Sequence, residues 1–298
     1  MAQWNKFLPL LLFAVLSIIW GSSFILIKKS LLAFSPLQVA SLRILFASIA
    51  FSPWIVRSLR MIKRKDIKFI LLVGFTGSAI PALLYAWAQT HVDSSIAGIL
   101  NSMTPIFTLI FSALIFSQRR LPLAQIAGVI LGFGGVALIV IYSREESVAL
   151  PIWSLVILVA TMMYGLSGNI VQHKLHAYNA MIVGASSFAV IGVLALIALM
   201  TTPFIQTMQV HPMAWTSLLS VTVLSLTSTF LATVLFYWML KLSDAIFASA
   251  VSYFIPIVAL TWGVLDGERL SLLHVLGFVI IMAALYMIHK GSKQHRDG

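Results

Sequence analysis

Ten apolar runs alternate with short polar punctuation along the chain: 7–27, 36–56, 68–90, 94–116, 121–142, 152–173, 179–201, 213–240, 244–265 and 270–289. Each is near the roughly 20 residues that an α-helix needs to cross a bilayer. None alternates apolar and polar positions as a barrel strand does, and in hydrocarbon a helix satisfies its own backbone groups. The pattern predicts an all-α polytopic membrane protein with ten transmembrane helices, short connections and no soluble domain. The first run follows a lone Lys6 and precedes no small-x-small cleavage site. It therefore reads as an uncleaved first helix rather than a signal peptide.

Composition sharpens this picture. The 298 residues are 60% hydrophobic and 9% charged, against about a quarter charged in a soluble domain. There is no cysteine, which excludes disulfides, thiolate metal sites and cysteine nucleophiles. The net charge of +11 does not indicate nucleic acid, because the polar surface such a partner needs is missing. Its largest cluster, Arg57, Arg60, Lys63, Arg64, Lys65 and Lys68, fills one loop between apolar runs. With the N-terminus inside, fourteen Lys and Arg fall on the inner side and four (Lys28, Lys29, Arg144, Arg269) on the outer side. That bias predicts two cytoplasmic termini, and the basic loop is also compatible with anionic lipid.

The chain also repeats itself. "DSSIAGILNSMTPIF" from Asp93 is echoed by "DAIFASAVSYFIPIV" from Asp244, so both the acids and the prolines Pro105 and Pro256 lie 151 apart. "IIWGSSF" is echoed by "MMYGLSG", and "QRRLPLAQIAG" by "GERLSLLHVLG". Five helices separate each pair, and five is odd, so the second copy inserts upside down. Two inverted five-helix repeats, 1–145 and 146–298, follow, with a site expected near the midplane between them.

"WGSSFILIKKSLLAFSPLQVASLRILFA" at 20–47, the two prolines, and "GERLSLLHVLG" resemble the EamA-type branch of the drug/metabolite transporter superfamily. The resemblance covers nearly the whole chain and rests on the order and spacing of the motifs. It implies ten helices in two inverted repeats, and export or exchange of small metabolites such as amino acids, purines or drugs. The family tends to carry a glutamate where the first half has Arg119, whereas the second half keeps Glu268. That departure bears on a matched pair of gate contacts.

Polar and small residues recur at three- and four-residue spacing and so share helix faces. Helix 4 carries Gly98, Asn101, Pro105, Thr108 and Ser112; helix 9 carries Ser249, Ser252, Pro256 and Gly263. Helix 8 carries Ser225, Thr229, Thr233 and Tyr237; helix 3 carries Gly77, Pro81, Tyr85 and Gln89. Helix 1 adds Trp20, Gly21 and Ser23, and helix 6 adds Tyr164, Ser167, Asn169 and Gln172. Single hydroxyls often bond their own helix, but Tyr, Gln and Asn on the same faces call for a cavity. The expected substrate contacts are Trp20, Ser23, Tyr85, Asn101, Tyr164, Asn169, Thr229, Tyr237, Ser252 and Tyr253. Pro81, Pro105 and Pro256 are expected to kink their helices, Pro105 leaving the carbonyl of Asn101 without its amide donor. Asp93 and Asp244 read as N-caps. Gly128 and Gly132 form a GxxxG pair, read as close packing within the subunit before a dimer contact.

No Asp or Glu lies in the middle of a run, so proton coupling through an intramembrane carboxylate is not expected. His173 and His176 lack further ligands for a metal, and His274 reads as interfacial. Arg43, inside helix 2, is expected to serve structure by snorkelling or by pairing with freed carbonyls. The cavity is thus expected to be neutral, hydroxyl-rich and aromatic, suited to a small zwitterion or planar solute. An intramembrane enzyme would need a carboxylate pair or nucleophile–base pair within the runs, and none is present. A membrane scaffold would not need polar stripes from both halves. The reading is an inner-membrane exporter or exchanger of amino acids or related metabolites, with no cofactor, whose partners are a small solute and the bilayer. A carrier of drugs or lipid-linked compounds is the alternative, and monomer and dimer are both compatible.

Overall fold

The computed structural model describes residues 4–116, 123–142, 150–242, 248, 250–269 and 271–294. These residues are helical, without strands. We label ten helices: α1 Trp4–Ser30, α2 Pro36–Met61, α3 Arg64–Ala88, α4 Ser94–Leu114, α5 Leu123–Tyr142, α6 Leu150–Lys174, α7 Ala180–Met200, α8 Ala214–Leu242, α9 Val251–Leu265 and α10 Leu272–Gln294. A short surface helix, Phe204–Val210, precedes α8. Among the described residues, seven helices are long and apolar enough to cross a membrane. Three shorter apolar helices, Leu123–Leu138, Val251–Leu265 and Leu272–Ile288, complete the set. Large apolar side chains such as Leu11, Ile49, Leu114, Met200 and Leu219 lie on the outer surface, where lipid rather than water is their natural contact.

Local sequence explains where helices start. Ser35 Oγ accepts from the Gln38 amide at 3.3 Å, Gln38 Oε1 accepts from the Ser35 amide at 2.9 Å, and Pro36 opens α2. This reciprocal cap satisfies two amides that have no helical partner. Asn179 caps α7 by accepting from the Ile182 amide at 2.8 Å.

Four helices are interrupted, and the interruptions come in pairs. α3 widens into a π-helical stretch at Phe75–Ala79, and α8 does the same at Leu224–Leu231. α4 breaks at Ser102 and Met103 and restarts at Thr104–Leu114. α9 opens as a 3-10 turn, Ala250–Tyr253, and restarts at Ile255–Leu265. Pro105 and Pro256 therefore follow breaks, each the second residue of a fresh segment, where a missing amide costs nothing. Pro81 lies inside α3, directly after its π stretch.

Close packing follows the small residues. α2 lies along α7, α5 along α10, α1 against α9, and α4 against α6. A Cβ on Gly21 would come within 2.4 Å of the Val258 Cβ, and one on Gly165 within 2.8 Å of the Thr108 amide nitrogen. Each glycine thus lets α1 or α6 touch the segment that follows a proline. A Cβ on Gly128 would meet the Ala284 carbonyl at 2.7 Å, and one on Gly98 the Ala259 Cβ at 2.3 Å. The GxxxG pair serves contact inside the chain: Gly128 faces α10, while a Cβ on Gly132 would meet Ile106 of α4 at 2.3 Å.

Candidate functional site

The interruptions converge on a cavity of about 100 Å³. The π stretch of α3 lines it with Gly77 and Ser78, and that of α8 lines it with Ser228 and Thr229. A π turn shifts the ladder by one residue and leaves backbone groups loosely paired. Neighbouring side chains take them up here. Trp20 Nε1 donates to the Ser228 carbonyl at 3.1 Å, and Ser228 Oγ donates to the Ile19 carbonyl at 3.1 Å. These bonds tie α1 to the widened part of α8 and fix the Trp20 ring, which meets Phe236 edge-on at 5.2 Å.

The break in α4 supplies a polar point. Tyr85 Oη donates to Asn101 Oδ1 at 2.7 Å, and both residues are buried. The Tyr85 ring stacks on Tyr164 at 6.0 Å. The Asn101 carbonyl, which Pro105 leaves without an amide donor, is taken up by a neighbouring hydroxyl. Thr104 Oγ1 donates to it at 2.8 Å.

Eight expected contacts line the cavity: Trp20, Ser23, Tyr85 and Asn101 from the first half, and Tyr164, Thr229, Tyr237 and Ser252 from the second. Asn169 and Tyr253 are not among the lining residues. Asn169 instead fastens α6 to α4 and to its own turn, donating to the carbonyls of Thr108 and Gly165 at 2.9 Å each. Of the other stripe residues, Gly98 and Gly263 face helix contacts, and Pro81 and Ser112 are buried away from the lining. Arg119, Asp244 and Ser249 lie outside the described residues.

The cavity is not neutral. Arg43 lines it, only 8% exposed, with its Nε donating to Thr229 Oγ1 at 2.7 Å. The Tyr164 side chain lines the cavity near the same guanidinium. The expectation that Arg43 snorkels fails because α2 turns this face to α8 and the cavity, not to an interface. Ser78, Ser228 and Phe236 were also missed. The signal was present for two of these: Ser78 and Ser228 follow from carrying the 151-residue offset onto Thr229 and Gly77.

A second polar cluster closes the end where α1 finishes and α4 starts. Glu268 Oε1 accepts from the Ser94 amide at 3.1 Å and hydroxyl at 2.6 Å, and Oε2 accepts from the Ser95 amide at 3.0 Å and hydroxyl at 2.6 Å. Lys28 Nζ lies 2.7 Å from Glu268 and 2.9 Å from Asp266, which also pairs with Lys29. Glu268, not Asp93, thus takes the first amides of α4. Asp93 occupies the N-cap position, its carbonyl accepting the Ala97 amide at 3.0 Å, without a side-chain cap bond. The C-terminus of α9 brings Glu268 there. Gly267, at φ 84°, donates to the Val264 carbonyl at 3.1 Å, and the Glu268 amide to the Gly263 carbonyl at 2.9 Å. This left-handed ending needs glycine and turns the chain back on itself. Gly263 makes room, since a Cβ there would meet Glu268 Oε2 at 2.5 Å. Burial alone would push both carboxyls up. The Lys28 ammonium with the Ser94 and Ser95 donors outweighs it at Glu268, and Lys29 with Lys28 outweighs it at Asp266, so both stay below the usual carboxylate range.

Histidines play other parts. His274 stands at the start of α10 and is 1% exposed, its amide donating to Ser271 Oγ at 3.3 Å. His91 stacks on Trp153 at 4.2 Å. No group of three His, Cys, Asp or Glu fit to hold a metal ion occurs among the described residues.

Comparison with known proteins adds the family. The EamA-like transporter family model matches twice, at residues 7–141 and 151–289. The chain is 29% identical over 271 residues to an uncharacterized transporter of Archaeoglobus fulgidus, covering 90% of this chain and 94% of that one. It is 26% identical over 296 residues to the uncharacterized inner membrane transporter YedA of Escherichia coli K12, covering 97% and 94%. It is 25% identical over 307 residues to a probable amino-acid metabolite efflux pump of Salmonella typhimurium, covering 99% and 98%. A solved crystal structure superposes with a TM-score of 0.63 at 16% identity, covering 94% of this chain and 96% of the other, and shares the fold.

Proposed function

The chain belongs to the EamA-like transporter family, and we propose that it exports or exchanges amino acids or closely related metabolites by alternating access. It is a membrane transporter of small molecules, not an enzyme. The observation that carries the amino-acid reading is the cavity where the breaks of α3, α4, α8 and α9 meet, lined by aromatic rings, hydroxyls and an amide. Its volume of about 100 Å³ is some three times a water's share of liquid, about 30 Å³. Drug sites run to roughly 300–1,000 Å³. A small metabolite suits it better than a drug or a lipid-linked compound.

In this reading all ten helices span the bilayer as two inverted repeats, 1–145 and 146–298, with both termini cytoplasmic. Paired π stretches, paired breaks before Pro105 and Pro256, and paired glycine contacts at Gly21 and Gly165 support it. The solute is held by Trp20, Ser23, Tyr85, Asn101, Tyr164, Thr229, Tyr237 and Ser252. The Glu268 cluster then closes the outer side.

The test is counterflow by the purified protein in liposomes against amino acids, nucleosides and organic cations. Amino acids should exchange fastest. Exchange confined to organic cations would overturn the reading.

A further inference from the structure

Among the described residues Arg43 is the one charge lining the cavity, and no described acid is ion-paired with it. The ion pairs among the described residues are Lys28 with Asp266 and Glu268, and Lys29 with Asp266. The helices packed on α2 supply nothing nearer. α7 has no charged residue, α8 has only Lys241, and the single acid of α3, Asp66, accepts from the Tyr178 hydroxyl at 2.6 Å at the far end. The acids outside the described residues stand at loop or tail positions in the sequence.

What surrounds the guanidinium is neutral. Thr229 Oγ1 takes the Nε proton, and the Tyr164 side chain lines the cavity near it. A guanidinium carries five donors in a planar fork, and it matches a carboxylate in two parallel bonds. In a membrane interior a charge without a counter-charge is costly and kept for a purpose. Thr229 takes one of the five donors and holds the guanidinium plane, and the guanidinium lines the cavity.

We propose that Arg43 is the anion seat of the transport path. The solute's carboxylate docks on its terminal nitrogens, with Thr229 fixing the guanidinium, and so supplies the charge the protein lacks. This rests on the transport reading above and narrows it to solutes bearing a carboxylate. It also gives the π stretch of α8 a purpose, since Thr229 belongs to the widened turn that Trp20 braces.

The experiment uses the purified full chain in liposomes. Counterflow is measured for the standard amino acid exchanged fastest and for its amide, which keeps the side chain and amine but lacks the carboxylate. Wild type should favour the acid at least about tenfold, as a lost charge-assisted hydrogen bond implies. R43Q should bring that ratio near one, and R43K, which keeps the charge without the fork, should fall between. A structural arginine would lower the rates of both solutes together and leave the ratio intact. If R43Q does not fold, the wild-type ratio still decides. An amide carried as well as its acid overturns the proposal. If no amino acid exchanges, thermal melting is followed with 4-methylpentanoate and with leucinamide. Stabilisation by the carboxylate alone, lost in R43K or R43Q, keeps the anion seat while the amino-acid reading falls. No stabilisation by the carboxylate overturns the seat as well.

Discussion

Ser95 is held twice by a residue 173 positions away: Glu268 Oε2 accepts both its amide and its hydroxyl, at 3.0 and 2.6 Å. With Ser94 and Lys28 on the other oxygen, one carboxylate joins α1, α4 and the end of α9. The first half has no such residues in register. Arg119 and Gln118 stand where the second half has Glu268 and Gly267, and Ala245 and Ile246 stand where the first half has Ser94 and Ser95. The acid and its serine donors are therefore absent together, and we expect the two gates to differ in strength.

Glu268→Gln should loosen this closure. A hydrogen bond to a charged group contributes about 1.5–3 kcal/mol, and the amide keeps the shape without the charge. Because the chain has no cysteine, a single Ser252→Cys reporter in the cavity can be labelled without background. Labelling from outside should be faster in the Glu268→Gln background. Equal rates would mean that the cluster does not gate the path.

The same cluster sets a pH dependence. The Glu268 and Asp266 carboxyls lie below their ordinary values in the folded chain. A depressed carboxyl binds its proton more readily when unfolded, so its contribution is present above the ordinary carboxylate range and is lost as the pH falls through the folded value. Thermal stability in detergent should be flat from neutral pH down to about pH 5 and fall below it. Glu268→Gln should flatten the acid limb.

The apolar runs were legible because burial in lipid demands continuous apolar helices, and among the described residues seven recur as helices long and apolar enough to cross a membrane. The polar faces of α3 and α8 were legible too, since steps of four survive in Tyr85, Thr229, Thr233 and Tyr237. The π stretches were not, because Phe75–Ala79 and Leu224–Leu231 look like any apolar turn. Pro105 was seen but misjudged. Spacing locates a missing amide, yet cannot show that the helix restarts one residue earlier and that Thr104 covers the Asn101 carbonyl. The Glu268–Ser95 and Arg43–Thr229 contacts span 173 and 186 residues, and no local periodicity carries such pairs.

The Tyr85–Asn101 bond gives a sharper site test than single deletions. Asn101→Leu leaves the buried Tyr85 hydroxyl without its acceptor, costing about 1–3 kcal/mol. Asn101→Leu and Tyr237→Leu should each abolish transport with little change in the amount of folded protein. Adding Tyr85→Phe to Asn101→Leu should recover melting temperature but not transport. Wild-type rates in both leucine variants would place the path elsewhere.

Among the described residues no acid or histidine lines the cavity, so flux should follow the solute gradient and respond weakly to an imposed pH step. Uphill accumulation in vesicles driven by a pH step alone would contradict this. The buried His274 would then be the first residue to replace.

Gly165 sets how closely α6 approaches α4. A Cβ there would lie 2.8 Å from the Thr108 amide nitrogen and 3.0 Å from the Phe107 carbonyl carbon, both backbone atoms that no rotamer change can move. At Gly21 the nearest atoms are the Val258 Cβ at 2.4 Å, which the backbone fixes, its Cγ1 at 2.8 Å and the Ile255 carbonyl oxygen at 3.0 Å. Gly134 has nothing within 4 Å, and an alanine there gains helix propensity of roughly 0.5–1 kcal/mol. Gly165→Ala and Gly21→Ala should therefore each cost about 1–3 kcal/mol by overpacking, and Gly134→Ala should be neutral or stabilising. Gly165→Ala should also slow transport, since it pushes Thr108 and Tyr164, both lining residues, away from their places. Melting of the three variants with transport measured beside it checks the order. A Gly165→Ala protein as stable and as fast as wild type would mean that α4 and α6 yield at this contact and that the close approach is not needed to shape the cavity.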